Sequence, residues 1–211
     1  MAQVQNPIIG RAKGLLGNAV FSKWKGINTL RSKALTVANP QTDGQMKQRA
    51  KLAVLLAIYQ TISAIVSKGF KEGAVGMSEY NKFMSINMKN AFLSWSGSAW
   101  VADNSELQVA KGSLDDTTIS SITTSNGTAT VAVAFPTTVS GDKSANDKVY
   151  ALAIRGDDVA YSLGSTVRSA GTVTITMPSN NATSDEIDVY LFFGSPDDRK
   201  FSTSVYALET V

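Results

Sequence analysis

The sequence predicts an α+β chain: an N-terminal arm with an antiparallel helical hairpin, followed by an immunoglobulin-like β-sandwich. Three observations predict it. Between residues 52 and 66, and again between 80 and 92, apolar side chains recur at three- and four-residue spacing, the period of an amphipathic helix. From about residue 119 the period becomes two, as in Thr128-Ala129-Thr130-Val131-Ala132-Val133-Ala134-Phe135. The charge changes sign between the same two regions. Residues 1–100 hold thirteen Lys/Arg and three acids (+10), residues 101–211 hold seven and fourteen (−7), and together they give the net +3. The composition shift sets the expected domain cut within 96–106, giving a basic assembly domain over 1–100 and an acidic sandwich over 101–211.

Taken in order, residues 1–38 read as an extended or hairpin-forming arm. Gly10, Gly14, Gly17 and Gly26 punctuate it, and each would weaken a helix by about 1 kcal/mol relative to alanine. Short strand-like pieces, such as Ala19-Val20-Phe21, run between them. Asn39-Pro40 ends the arm, because a residue before proline avoids the helical region. Thr42 and Gln45 form a capping-box pattern that opens the first helix. Leu52, Leu55, Leu56, Tyr59, Ile62, Ile65 and Val66 make its stripe, and Gly69 is its stop. Ser78 caps a second helix that the pattern extends to about Ser94. A ten-residue connection makes the two antiparallel neighbours.

Strands are expected at 119–123, 128–135, 148–154, 159–163, 172–177, 187–193 and 203–208, with turn signals between them. Examples are Ser125-Asn126-Gly127 and Arg155-Gly156-Asp157-Asp158. Residues 148–154 and 187–193 are apolar enough to be buried on both faces. Seven short strands in so short a segment match an immunoglobulin-like sandwich, without its disulfide.

Composition restricts the chemistry. The chain has no histidine and no cysteine, so the Ser-His-Asp and Cys-His arrangements, thiol redox and the usual zinc sites are excluded. The acidic pairs Asp115-Asp116, Asp157-Asp158 and Asp197-Asp198 sit in turn sequences, where such residues serve Asx-turns and solubility. No calcium-loop pattern accompanies them. The expectation is no enzyme activity, no metal and no cofactor. The apolar run at 52–66 is broken by Gln60, Thr61 and Ser63 and is shorter than the roughly twenty residues a membrane span needs. It reads as a core helix, and no membrane partner is expected. No signal-peptide pattern opens the sequence, so the expected place of synthesis and folding is the bacterial cytoplasm.

The interface candidates are Trp24, Lys25 and Arg31 in the arm and Lys47, Arg49 and Lys51 on the first helix. Aromatic and Arg anchors in an arm without a core need something to pack against, either the chain's own helices or a neighbouring subunit. Cations on a helix's first turns oppose the helix dipole, which leaves them for an acidic surface, for nucleic acid or for solvent.

Taken together, Gly14-Leu15-Leu16-Gly17-Asn18-Ala19-Val20, Ser22-Lys23-Trp24-Lys25-Gly26, Arg31, Asn39-Pro40-Gln41-Thr42 and Gln45-Met46-Lys47-Gln48-Arg49 resemble an uncharacterised Bacteroidota- and phage-associated family. The resemblance continues through Met77-Ser78-Glu79-Tyr80-Asn81 and Asn87-Met88-Lys89-Asn90-Ala91 to Ser202-Thr203-Ser204-Val205-Tyr206. It implies a multi-copy, non-enzymatic structural protein of a phage-like particle, located in the virion and partnered by its own copies or other virion proteins. One alternative is a nucleic-acid-binding or packaging protein that uses the basic half. Another is a carbohydrate-binding or adhesive Ig-like module, for which Tyr161 is an exposed aromatic.

Overall fold

In the computed structural model the described residues are 2–3, 13–24, 27–36, 39–90 and 92–211, with backbone alone at Ala2, Gln3 and Trp24. The chain divides into two compact units, Met1–Asp43 and Gly44–Val211. The composition shift at 96–106 therefore falls inside the second unit.

The first unit is a sheet. Strands β1 (Ala2–Gln3), β2 (Gly14–Leu16), β3 (Ala19–Trp24) and β4 (Ile27–Ser32) pair antiparallel in the order β1-β4-β3-β2. Gly17 and Asn18 form the two-residue turn between β2 and β3. Its geometry needs a left-handed residue, and Gly17 supplies one at φ +57°. Lys33 N donates to Asn18 O at 2.7 Å, and the Ser22 and Thr29 hydroxyls meet at 2.6 Å across β3 and β4. The N-terminus is thus a β-sheet, where the sequence predicts an arm ending in a helical hairpin.

The second unit begins with two helices, α1 (Asp43–Gly69) and α2 (Glu79–Asn87). Ser78 caps α2 by accepting from Asn81 N at 3.2 Å. The expected continuation to Ser94 does not form. Asn87 is fully buried, and its side-chain amide donates to Phe83 O and Gln108 O while its oxygen accepts from Gln108 N. That exchange ties the helix end to an incoming extended segment. By residue 93 the chain has entered a hairpin, β5 (Leu93–Trp95) and β6 (Trp100–Ala102).

After a short 3-10 turn at Asn104–Glu106 come seven strands: β7 (Ser121–Thr124), β8 (Thr130–Ala134), β9 (Lys148–Arg155), β10 (Asp158–Val167), β11 (Thr172–Thr176), β12 (Glu186–Gly194) and β13 (Val205–Thr210). They form two separate antiparallel sheets, ordered β10-β9-β12-β13 and β11-β8-β7. One face of the larger sheet presents Val149, Ala151, Ala153, Ile187, Val189, Leu191 and Phe193. These pack with Val131, Val133, Val173 and Ile175 of the smaller sheet. The opposite face, with Tyr150, Leu152, Tyr190 and Phe192, packs against Leu55, Ile62, Ile65 and Val66 of α1 and Phe83 of α2.

The expected immunoglobulin-like sandwich is therefore overturned. A sandwich keeps the outer faces of its sheets polar. Here β9 and β12 are apolar on both faces, helices cover the outer one, and among the described residues no sheet closes into a barrel or sandwich. The α+β class holds, with helices layered on the strands of the same unit. By length and composition α1 could cross a membrane, yet Leu55, Ile62, Ile65, Val66 and Gly69 are buried in this core. The helix can approach closely because residue 69 is glycine. A Cβ there would stand 2.5 Å from Val109 O and 2.7 Å from Ala110 Cβ.

Glu72, just beyond α1, ties the helical layer to the chain segments at 113 and 201. It accepts from the Ser113 hydroxyl at 2.5 Å, Ser113 N at 3.2 Å and Phe201 N at 2.8 Å. Burial pushes its carboxyl up, but these hydrogen bonds outweigh burial and hold it below its ordinary 4.5. A depressed folded-state value means stability that is full above the unfolded pKa and lost as pH falls through the folded one. Glu72→Gln is expected to cost about 1–2 kcal/mol at neutral pH. In urea titrations the gap from the native chain should narrow on acidification; a gap independent of pH would refute the carboxylate's role.

Candidate interaction surfaces

Within the second unit, the first turns of α1 meet the β5–β6 hairpin. The turn Ser96-Gly97-Ser98-Ala99 brings Trp95 and Trp100 opposite one another, with ring centroids 5.5 Å apart in an edge-on arrangement. Lys47 Nζ lies 4.9 Å from the Trp95 centroid and Lys51 Nζ 5.0 Å from that of Trp100, both within cation–π range. Trp100 Nε1 donates to Lys47 O, and Lys51 Nζ donates to Met88 O, each at 2.8 Å. Lys47 and Lys51 thus have uses inside the chain, which compete with any phosphate or carboxylate contact. Arg49 is exposed on the same turns.

The arm candidates fall in the first unit. Arg31 is exposed on β4, in register with Val20 on β3, while the backbone of Trp24 pairs with Ile27. Lys25 lies outside the described residues. Sequence reasoning missed Trp95 and Trp100 as partners of the basic run. The signal was present in Trp95-Ser-Gly-Ser-Ala-Trp100, two tryptophans placed symmetrically about a glycine turn.

A second surface in this unit is an open groove of about 270 Å³ between α1 and the β9–β10 turn. Ala57, Ile58 and Thr61 line it from the helix, Asn104 and Leu107 from the 3-10 turn, and Ile154, Asp157 and Val159 from the strands and their turn. Asn104 connects the groove to a half-buried polar cluster. Its Nδ2 donates to Asp188 at 2.6 Å, and its carbonyl accepts from the Tyr190 hydroxyl at 2.6 Å. The Tyr206 hydroxyl also donates to Asp188, at 2.7 Å. Burial first, and then Asp188 by its charge on Tyr190 and its hydrogen bond with Tyr206, push both phenols above the ordinary tyrosine range.

Five of the six residues in the acidic pairs have structural partners. Asp115 accepts from Asp142 N, and Asp116 from Thr203 N. Asp158 pairs with Arg155 at 2.7 Å, and Asp198 with Lys148 at 2.9 Å. Asp197 accepts from the Ser195 hydroxyl. Among the described residues no group of three or more His, Cys, Asp or Glu is placed to hold a metal ion.

The first unit carries the third surface. Register puts Leu16, Ala19, Phe21 and Leu30 on one face of its sheet and Leu15, Val20, Ile27 and Arg31 on the other. No side chain described between 13 and 36 is buried, and Leu15, Leu16 and Leu35 are 57%, 65% and 89% exposed. Six Lys/Arg against one acid give residues 1–43 a charge of +5, which leaves −2 for 44–211.

No curated protein and no solved structure matches the chain. The family match that does exist carries no link to virions, bacteriophages or capsids, so those descriptors fall together with the Ig-like sandwich. The match runs over residues 11–208, through both units, and the chain belongs to the family of unknown function DUF6266.

Proposed function

We propose that the chain is a non-enzymatic assembly protein that associates with further copies of itself through its N-terminal sheet. The observation that carries this reading is the sheet with apolar residues on both faces, none of them buried among the described side chains. A few strands without a packed face are marginal in water, and exposed apolar faces mark association surfaces. One cover shields one face, so two apolar faces call for two covers. A neighbouring copy supplies one of them. The opposite charges of 1–43 and 44–211 favour head-to-tail contact.

Light scattering on the purified full chain tests this. The mass is expected to exceed the monomer's 22.4 kDa and to rise with concentration. Leu15→Ser with Leu16→Ser, one change on each face, is expected to lower it toward the monomer. An unchanged oligomer in that variant would exclude the sheet as the contact.

A further inference from the structure

The groove beside α1 and the outward face of that helix form one surface. Ala53, Leu56, Ala57, Gln60 and Thr61 follow one another at three- and four-residue spacing, and all are exposed, Leu56 to 37%. Residues 54–67 of α1 carry no charge. Ile58, Leu107, Ile154 and Val159 extend this apolar strip into the groove. Its rim is acidic. The segments that supply Asn104, Leu107, Ile154, Asp157 and Val159 to its lining, 103–107 and 154–159, also hold Asp103, Glu106 and Asp158 against Arg155 alone. Arg155 is already engaged by Asp158, Asp185 and Asn181. The surface is therefore an uncharged helix face ending at Asp157, with Asp103 and Glu106 on the adjoining segment and Asp158 taken up by Arg155.

We infer that this surface receives the N-terminal sheet of a second copy, by the face that carries Leu15, Val20 and Arg31. The inference rests on the assembly reading above and names its receiving site. That sheet face matches the groove in pattern. Leu15 and Val20 are paired across β2 and β3, and Arg31 is paired with Val20 across β3 and β4. The row thus runs from an apolar side to a cation, as the groove runs from an apolar helix to carboxylates. The surrounding residues 1–43 are basic, so the fields of the two surfaces attract over longer range as well. The contact joins different patches of the two copies. The pair then keeps one free sheet and one free groove, and the assembly can add further subunits in a ring or a filament.

The test uses full-length chains blocked on one side or the other. Ala57→Arg places a cation in the middle of the helix face, and Val20→Asp places an acid in the middle of the sheet face. Each variant alone is expected to associate at least tenfold more weakly than the native chain. Mixed in equal amounts, they are expected to form a one-to-one dimer and stop there, because one open groove meets one open sheet. A mixture that remains monomeric would overturn the groove as the receiving site while leaving assembly through the sheet standing. A native chain that is monomeric throughout would overturn both readings, and it is also the result expected if each sheet folds back onto its own chain. Asp157→Lys, an exposed turn substitution, guards against misfolding of the Ala57 variant. It should weaken native association by a similar factor and be rescued by Arg31→Glu on the partner copy. Absence of both effects counts against the site.

Discussion

Replacing Asp147 by alanine is expected to destabilise the second unit by about 3–5 kcal/mol. Asp147 and Arg168 form a fully buried ion pair, 1% and 0% exposed, with Nε to Oδ2 at 3.1 Å. The same carboxylate oxygen accepts from Ser144 N at 2.8 Å, and Arg168 N donates to Asp147 O at 2.8 Å. The guanidinium lies 3.8 Å from the Phe193 ring centroid, and its two terminal nitrogens have no hydrogen-bond partner. Removing the carboxylate leaves a full charge in the core with an aromatic face as its main compensation. Such a charge costs more than the pair ever contributed. The unfolding midpoint should fall by about 6–20 °C. Replacing both residues with apolar ones of similar volume, Asp147→Leu with Arg168→Met, is expected to recover most of the loss. A loss under about 1 kcal/mol in the single variant would show that the arginine finds another partner.

The second large effect distinguishes the observed layers from the sandwich that the sequence predicts. Phe192 and Phe193 are consecutive on β12 and point to opposite faces, yet both are fully buried. Phe192 stacks on Tyr150 at 5.0 Å, within the core shared with α1 and α2. Phe193 meets Phe135 edge-on at 5.3 Å, within the core shared with the three-stranded sheet. Each change to alanine is expected to cost about 3–5 kcal/mol in denaturant unfolding. In a sandwich with a solvated outer face, one of the two would be close to neutral. An asymmetric pair of results would therefore contradict the helix layer.

Much of the second unit was legible because strand and turn chemistry are local. The alternation at 128–135 marks β8, that at 172–177 marks β11, and the turns flanking them are where the signals place them. The runs that form β9 and β12 carry an additional signal, apolarity on both faces. It says that something covers each side, but not what does. Choosing a second sheet for one cover and helices for the other depends on contacts between residues 55–83 and 150–192, which no local pattern encodes. The end of α2 was illegible for a similar reason. Apolar spacing continues past Asn87, while the backbone that captures its amide lies at Gln108, 21 residues on. In the arm, glycines and short apolar pieces announce strands, and the register that sets two apolar faces appears only once β2, β3 and β4 are paired. The basic run on α1 reads as open to an outside partner until the hairpin at 93–102 brings two indoles to Lys47 and Lys51.

The two-faced N-terminal sheet is the surface through which we propose that this chain assembles. A concentration series of the full chain by light scattering tests it most directly. The expected mass lies above 22.4 kDa, climbs with concentration and falls when salt screens the +5 and −2 units from one another. A mass fixed at 22.4 kDa across the series would contradict it.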